Sequence, residues 1–344
     1  MRLTMPRNQR RSEAVAAHAA KKLPEAPLDF LSNQHFVYGL IVLFLLLYFV
    51  TGVWLFGLLI GLSIVWVVVL EFAQGTKEHG LKNEIKETFI ALVLALLVWF
   101  GASFVLNTSS PLNAIVSCSM LPHIARGDMV VLSGDRVQAA QEEVGTLANI
   151  ARAQVYENGV LVAGVNGSMY SYCATRQQSA VCQRFIASPG AFSEKHGELV
   201  FAYEKCGIVM DKTRETVYGP CVSYLEVNGK RYYTNLSNDV VVYQPNKGEY
   251  YSRVGDIIHR AYIRLYNKED GKTYFLTKGD NNPIFDIQVY DESLKDGNAP
   301  VELSRSKGRI LVNVPYLGYF KLFISPAAIP TPEGCDRHYA KWDT

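Results

Sequence analysis

Residues 36–70 contain no Asp, Glu, Lys, Arg or His. A helix of that length would run about 52 Å, against a hydrocarbon core of about 30 Å. One tilted helix is too long for a single crossing, so the stretch reads as a hairpin of two short spans with its turn near Thr51-Gly52. A further uncharged run over residues 88–106 is 19 residues long, enough for a third crossing. A chain with this pattern is committed to the bilayer before any other feature is considered. The first apolar run follows a basic leader and far exceeds the 7–15 residues of a cleaved signal sequence's apolar core, which favours a retained anchor.

Lys and Arg in short flanking segments set orientation. Residues 1–35 carry Arg2, Arg7, Arg10, Arg11, Lys21 and Lys22, and residues 71–87 carry Lys77, Lys82 and Lys86. Both segments are expected in the cytoplasm, which places everything after about residue 107 outside. All six cysteines (Cys118, Cys173, Cys182, Cys206, Cys221 and Cys335) follow the third span, as an oxidising exterior would favour. The net charge of +2 gives no reason to expect nucleic acid as a partner.

Residues 107–324 have the length of one sizeable domain, followed by a tail over 325–344. Short runs rich in Val, Ile, Tyr and Thr at 129–132, 199–203, 240–243, 261–266, 273–277 and 310–314 read as strands, separated by Gly, Asn and Asp clusters. Asn228-Gly229 and Asp270-Gly271 read as hairpin turns. A helix or turn is expected around residues 139–152. The fold class is membrane-anchored and mainly β.

Three short motifs carry chemistry. Ser117-Cys118-Ser119-Met120-Leu121-Pro122, followed by Arg126-Gly127-Asp128, comes soon after the last span. Ile257-Ile258-His259-Arg260 follows much later, then Lys278-Gly279-Asp280-Asn281-Asn282, with Asp286 six residues beyond Asp280. A serine hydroxyl is a poor nucleophile at neutral pH and needs a base within hydrogen-bond reach, itself oriented by a third group. Histidine suits the base role because its unperturbed pKa is about 6.5. Ser119, His259 and one of Asp280 or Asp286 supply the three parts.

Ordered in this way after membrane spans, these motifs resemble signal peptidase I, in its Ser-His branch from the endoplasmic reticulum and archaea. Gly308-Arg309-Ile310 and Val314-Pro315-Tyr316-Leu317-Gly318-Tyr319 resemble the family's closing strands. The resemblance covers roughly residues 105–133, 238–288 and 306–324 with one preceding span. It implies a β-rich catalytic domain in which Ser119 is the nucleophile and His259, where bacterial relatives carry Lys, is the base. Asp280 and Asp286 support that base, and Ser117 contributes an oxyanion hydroxyl. Lys278 has no base role in this pattern, and His123 stands where the family commonly has Thr. His18, His35, His79, His196 and His338 stand in no motif and are expected to be solvated. The implied activity is a membrane serine endopeptidase that cleaves signal peptides from exported preproteins. It needs no metal or organic cofactor, and its partners are preproteins, the lipid bilayer and the export channel. Two rivals fit the same sequence: a catalytically silent extracytoplasmic assembly protein, and a peptidase for a narrow set of surface precursors.

Residues 134–237 exceed what compact family members need between nucleophile and base. This insertion holds Cys173, Cys182, Cys206 and Cys221, for which local pairing, Cys173–Cys182 and Cys206–Cys221, is expected because each closes a short loop. It reads as a disulfide-stapled surface elaboration. The topology is testable by thiol labelling in a background without the native cysteines. Of single cysteines placed at Ser12, Gln74 and Ser193, only the one at 193 should react with an impermeant reagent in intact cells. Labelling at 74 without 193 would mean that residues 36–70 cross only once.

Overall fold

The structure, a computed structural model, describes residues 33–51, 54–147, 150–324, 332 and 334–342. Most of the expected basic leader and part of the expected tail lie outside the described residues. Two compact units divide between Val93 and Leu94.

The first unit is helical. Helix α1 covers Gln34–Thr51, α2 covers Trp54–His79, and α3, Leu81–Val105, continues beyond the unit's end. Over residues 55–79 and throughout α3, the chain is long and apolar enough to cross a membrane by length and composition. The 18 residues of α1 are apolar too but span only about 27 Å. Helices α1 and α2 pack together: the Tyr38 hydroxyl donates to Glu71 Oε1 at 2.9 Å, and Phe44 stacks on Phe56 at 6.4 Å. Residues 71–87, expected as a loop, are instead almost entirely helical. Lys and Glu are good helix formers, and the segment is interrupted only at Gly80, whose φ of +80° ends one helix before the next begins.

The second unit is built on two sheets. The first contains β1 (Leu112–Ala114), β2 (Met129–Ser133), β3 (Ala140–Val144), β10 (Val240–Tyr243), β11 (Ile257–Asn267), β12 (Lys272–Lys278), β15 (Val301–Glu302) and β16 (Ser306–Val314). Its order is β1-β2-β16-β10-β11-β12-β15, with β3 paired to β11. The second contains β4 (Arg152–Glu157), β5 (Val160–Asn166), β6 (Phe192–His196), β7 (Leu199–Met210), β8 (Thr216–Val227), β9 (Lys230–Tyr232) and β17 (Arg337–Tyr339). Its order is β5-β4-β6-β7-β8-β9, with β17 paired to β7. Helices α4 (Met169–Thr175) and α5 (Ala180–Ala187) follow β5, a small β13–β14 hairpin (Tyr290–Asp291, Asp296–Gly297) follows Asp286, and α6 is Tyr319–Ile324.

Each run expected as a strand lies on one, and Asn228-Gly229 and Asp270-Gly271 turn between β8 and β9 and between β11 and β12. Of the helix or turn expected around 139–152, the first part is strand and a turn stands at residues 150–151. Gln141, Glu142 and Glu143 are helix formers by propensity, yet they lie in β3, which runs parallel to β11 from Ala140↔Ile263 to Val144↔Asn267. Backbone pairing and the burial of Val144 outweigh that weak local preference.

Strand β10 shows why the first sheet is buried on both faces. Val240 and Val242 join Ile115, Met120, Ile124, Val130 and Leu132 in one core, while Val241 and Tyr243 face another with Ile257, Ala261, Phe275 and Val301. This period-2 split is what a central strand requires. The largest core joins the two sheets. Phe285 meets Phe201 of β7 at 5.0 Å and Tyr262 of β11 at 4.5 Å, and Ile263, Leu265, Leu276 and Leu225 fill the same cluster. The insertion is thus the second layer of the domain rather than a surface elaboration.

Truncating Phe285, which is fully buried, leaves a cavity between the sheets. Phe285→Ala is expected to cost about 3–5 kcal/mol, measured as a lowered midpoint in chemical unfolding of the disulfide-intact protein.

Candidate active site

The segment around Ser119 is a compact turn between β1 and β2. Met120, 1% exposed, anchors it in the core, and Ile124 N–H and His123 N–H both donate to the Met120 carbonyl. Ser119 is half-buried, and its Oγ lies 3.2 Å from Ser117 Oγ. The turn is fixed against residues 279–281: Asn281 N–H donates to the Ser119 carbonyl at 2.7 Å, and Asn281 Nδ2 donates to the Cys118 carbonyl at 3.1 Å. A Cβ at Gly279 would stand 2.6 Å from the Ser119 carbonyl oxygen, so only glycine permits this approach.

His259 is carried by β11, opposite Val241 of β10. It is 4% exposed, and its Nδ1 lies 2.7 Å from Asp286 Oδ2. The same oxygen accepts from Thr277 Oγ1 at 2.6 Å and from the Tyr243 hydroxyl at 2.9 Å. Asn298 Nδ2 donates to the Asp286 main-chain carbonyl at 2.9 Å. Burial, reinforced by the Asp286 charge, pushes the Tyr243 and Tyr251 phenols well above their ordinary range, so both remain donors. The Tyr251 ring stands edge-on to the His259 imidazole at 6.1 Å.

The two carboxylates left open by the sequence therefore differ. Asp286 meets the imidazole. Asp280 is held by Arg260, Nε to Oδ1 at 2.9 Å and Nη2 to Oδ2 at 2.6 Å, in a bidentate pair. Arg260 Nη1 also donates to the carbonyls of Leu236 and Asn238, at 2.9 and 2.7 Å. His123 Nδ1 lies 3.0 Å from Asp280 Oδ2, which ties the segment after Ser119 to the same carboxylate. Arg260 is cross-strand from Lys278, so the turn bearing Gly279, Asp280 and Asn281 begins directly beside the His259-Arg260 pair. One turn thus bridges the serine and histidine segments.

Lys278 is 5% exposed, and its Nζ donates to the Gly279 carbonyl at 3.3 Å. Burial, helped by Lys341, pushes its pKa down to about 7, although Asp280 and Asp286 pull the other way. His196, expected to be solvated, is 1% exposed. Its two ring nitrogens face the Ile150 carbonyl at 2.7 Å and Glu194 Oε1 at 2.8 Å. Glu194 also accepts from Gln288, two residues past Asp286. His338 is paired with Asp211 at 2.8 Å, His35 and His79 are exposed, and His18 lies outside the described residues.

Reading motifs one at a time missed Tyr243 and Thr277, which appear in sequence only as strand residues. It also missed the disulfide between Cys118 and Cys335, 217 residues apart; Cys173–Cys182 and Cys206–Cys221 pair locally as expected. Among the described residues one cluster has metal-ligand residue types, Glu204 with Cys206 and Cys221. Its sulfurs are joined as a disulfide, which removes the thiolates a metal would use.

No family model matches the chain. Similar proteins include catalytic subunits of the signal peptidase complex. The SEC11 catalytic subunits of the signal peptidase complex from Saccharomyces cerevisiae strains YJM789, RM11-1a and JAY291 are each 36% identical to the chain over 94 residues. That stretch is 26% of this chain and about half, 49%, of each relative. By this similarity the chain is a relative of the signal peptidase I family, endoplasmic-reticulum type, as its motifs indicated.

The buried amine makes stability pH-dependent. Lys278 has a folded pKa of about 7 against an ordinary 10.5. Between these values the unfolded chain binds the extra proton, so stability rises with pH across that window. In urea unfolding at a series of pH values, Lys278→Met should be more stable at neutral pH and lose much of this rise.

Proposed function

We propose that the chain is a membrane-anchored serine endopeptidase that removes signal peptides from exported preproteins. The observation that carries this reading is the His259–Asp286 hydrogen bond beside a serine turn pinned to residues 279–281. In this reading Ser119 Oγ attacks the scissile carbonyl carbon while His259 Nε2 takes its proton. Asp286 holds the Nδ1 proton and stabilises the imidazolium that forms. The Ser117 hydroxyl, beside Ser119, donates to the developing oxyanion. Collapse of the tetrahedral intermediate breaks the C–N bond, and His259 delivers the proton to the leaving amine. A water then enters, gives its proton to His259 and attacks the acyl carbon; the bond to Ser119 Oγ breaks as His259 returns that proton to it. Asp280 acts structurally, keeping Arg260 and the 279–281 turn in place.

Family resemblance adds the substrate rule: small residues just before the cut and at the third position before it. It also adds the setting, with residues 1–35 and 71–87 on the cytoplasmic side and the β domain outside, near the export channel. A substrate that arrives as an apolar helix in the bilayer then shares two dimensions and a fixed height with its enzyme.

Ser119→Ala and His259→Ala should each reduce precursor cleavage in detergent by about ten-thousandfold or more while insertion is unchanged. His259→Lys should also be inactive. A lysine base must lose its proton near neutral pH, and Asp286 beside it would hold the ammonium charged. Normal cleavage by Ser119→Ala would end the assignment, whereas activity retained by His259→Ala alone would transfer the base role to Lys278.

A further inference from the structure

The segment after the closing strands reaches back to the serine turn. Cys335 is bonded to Cys118, the residue immediately before Ser119. Asn281 joins the same two segments without covalent chemistry: its Nδ2 donates to the Cys118 carbonyl at 3.1 Å and to the carbonyls of Gly334 and Arg337 at 3.1 and 2.9 Å. One side-chain amide is therefore shared among three carbonyls, while the Asn281 main-chain N–H holds Ser119 itself.

The far end of this segment is firmly held. Strand β17 pairs with β7 from Arg337↔Met210 to Tyr339↔Ile208. Asp211 N–H donates to the Asp336 carbonyl at 2.8 Å, and His338 is paired with the Asp211 side chain. Tyr339, 5% exposed, packs on the Cys206–Cys221 disulfide and Ile208. Lys341 acts electrostatically on both Lys278 and Asp280. The second sheet thus reaches the serine turn through a short, anchored strap whose disulfide and Asn281 bridge both meet the turn at Cys118, immediately before Ser119.

We infer that residues 334–341 are a positioning element for Ser119, transmitting the rigidity of the second sheet to the nucleophile turn through Cys335 and Asn281. The inference rests on Ser119 being the nucleophile. Small displacements of a reacting oxygen are costly, about a hundredfold for 1 Å. A positioning role predicts an effect on turnover rather than on substrate affinity.

The test compares the full chain in detergent with a Cys118→Ser/Cys335→Ser double variant, with Asn281→Asp, which keeps the disulfide but turns a carboxylate toward three carbonyls, and with a Cys173→Ser/Cys182→Ser control. The measurements are kcat and KM for precursor cleavage, the rate at which a fluorophosphonate probe labels Ser119, and amide hydrogen exchange across residues 117–124. The double variant and Asn281→Asp should each lower kcat and the labelling rate by about tenfold or more. KM should hold, and exchange at 117–124 should quicken, while the control stays like the native chain in that window. Unchanged exchange at 117–124 in both strap variants overturns the inference, whatever the activity. An equal fall in the control overturns it too, by showing that any lost disulfide has the same effect. Failure of the probe to label native Ser119 would instead remove the nucleophile reading, with exchange still deciding whether the strap positions the turn.

Discussion

A carboxylate that is 1% exposed is unfavourable unless donors replace the water it has lost. Asp286 meets that requirement at one oxygen, Oδ2, which serves three neighbouring strands: His259 from β11, Tyr243 from β10 and Thr277 from β12; its Oδ1 is buried with no hydrogen-bond partner among the described residues. The bond to His259 therefore does more than orient an imidazole. It requires β10, β11 and β12 to hold one register, because a one-residue slip of any one of them would turn its donor to the opposite face. Phe285, directly before Asp286, adds the second constraint by locking the carboxylate's own backbone between the two sheets.

The neighbouring charges divide the work. Asp280 is matched by Arg260 in a buried bidentate pair whose value is geometric: removing either partner would strand the other in the interior. The pair fixes the point at which the 279–281 turn leaves β12, and that turn in turn carries the serine segment. Lys278, one residue earlier, has no carboxylate at hydrogen-bond distance among the described residues and instead approaches neutrality. Two adjacent cations on paired strands, Arg260 and Lys278, are thus treated differently by the same interior.

Much of this was legible in the chain. The strands around His259 and Val241 follow from β-branched runs and turn residues, and the serine, histidine and aspartate motifs are local strings. What was not legible depended on contacts distant in sequence. Nothing local distinguishes Asp280 from Asp286; the choice follows from a two-strand register that puts Arg260 opposite Lys278 and from a short turn that brings Asp286 back under His259. Strand β3 was misread because its Glu and Gln speak for a helix, whereas pairing to β11 decides. His196 was taken for a surface residue because its partners, Ile150 and Glu194, become neighbours only when the second sheet assembles. Cys118 and Cys335 could not be matched by any loop-length argument.

The shared core between the sheets bears on how such a domain could have been shorter. Tyr262, Ile263, Leu265, Leu276 and Phe285 belong to the layer that carries the candidate site, yet they are covered by Phe201, Leu225 and their neighbours in the second sheet. Excising the insertion from this chain would leave a broad greasy plate facing water beside the candidate site, of the kind that drives aggregation. A version of this chain without the second layer would need more polar residues at those five positions to stay soluble, so removing the layer and repainting the first sheet are coupled changes rather than independent ones.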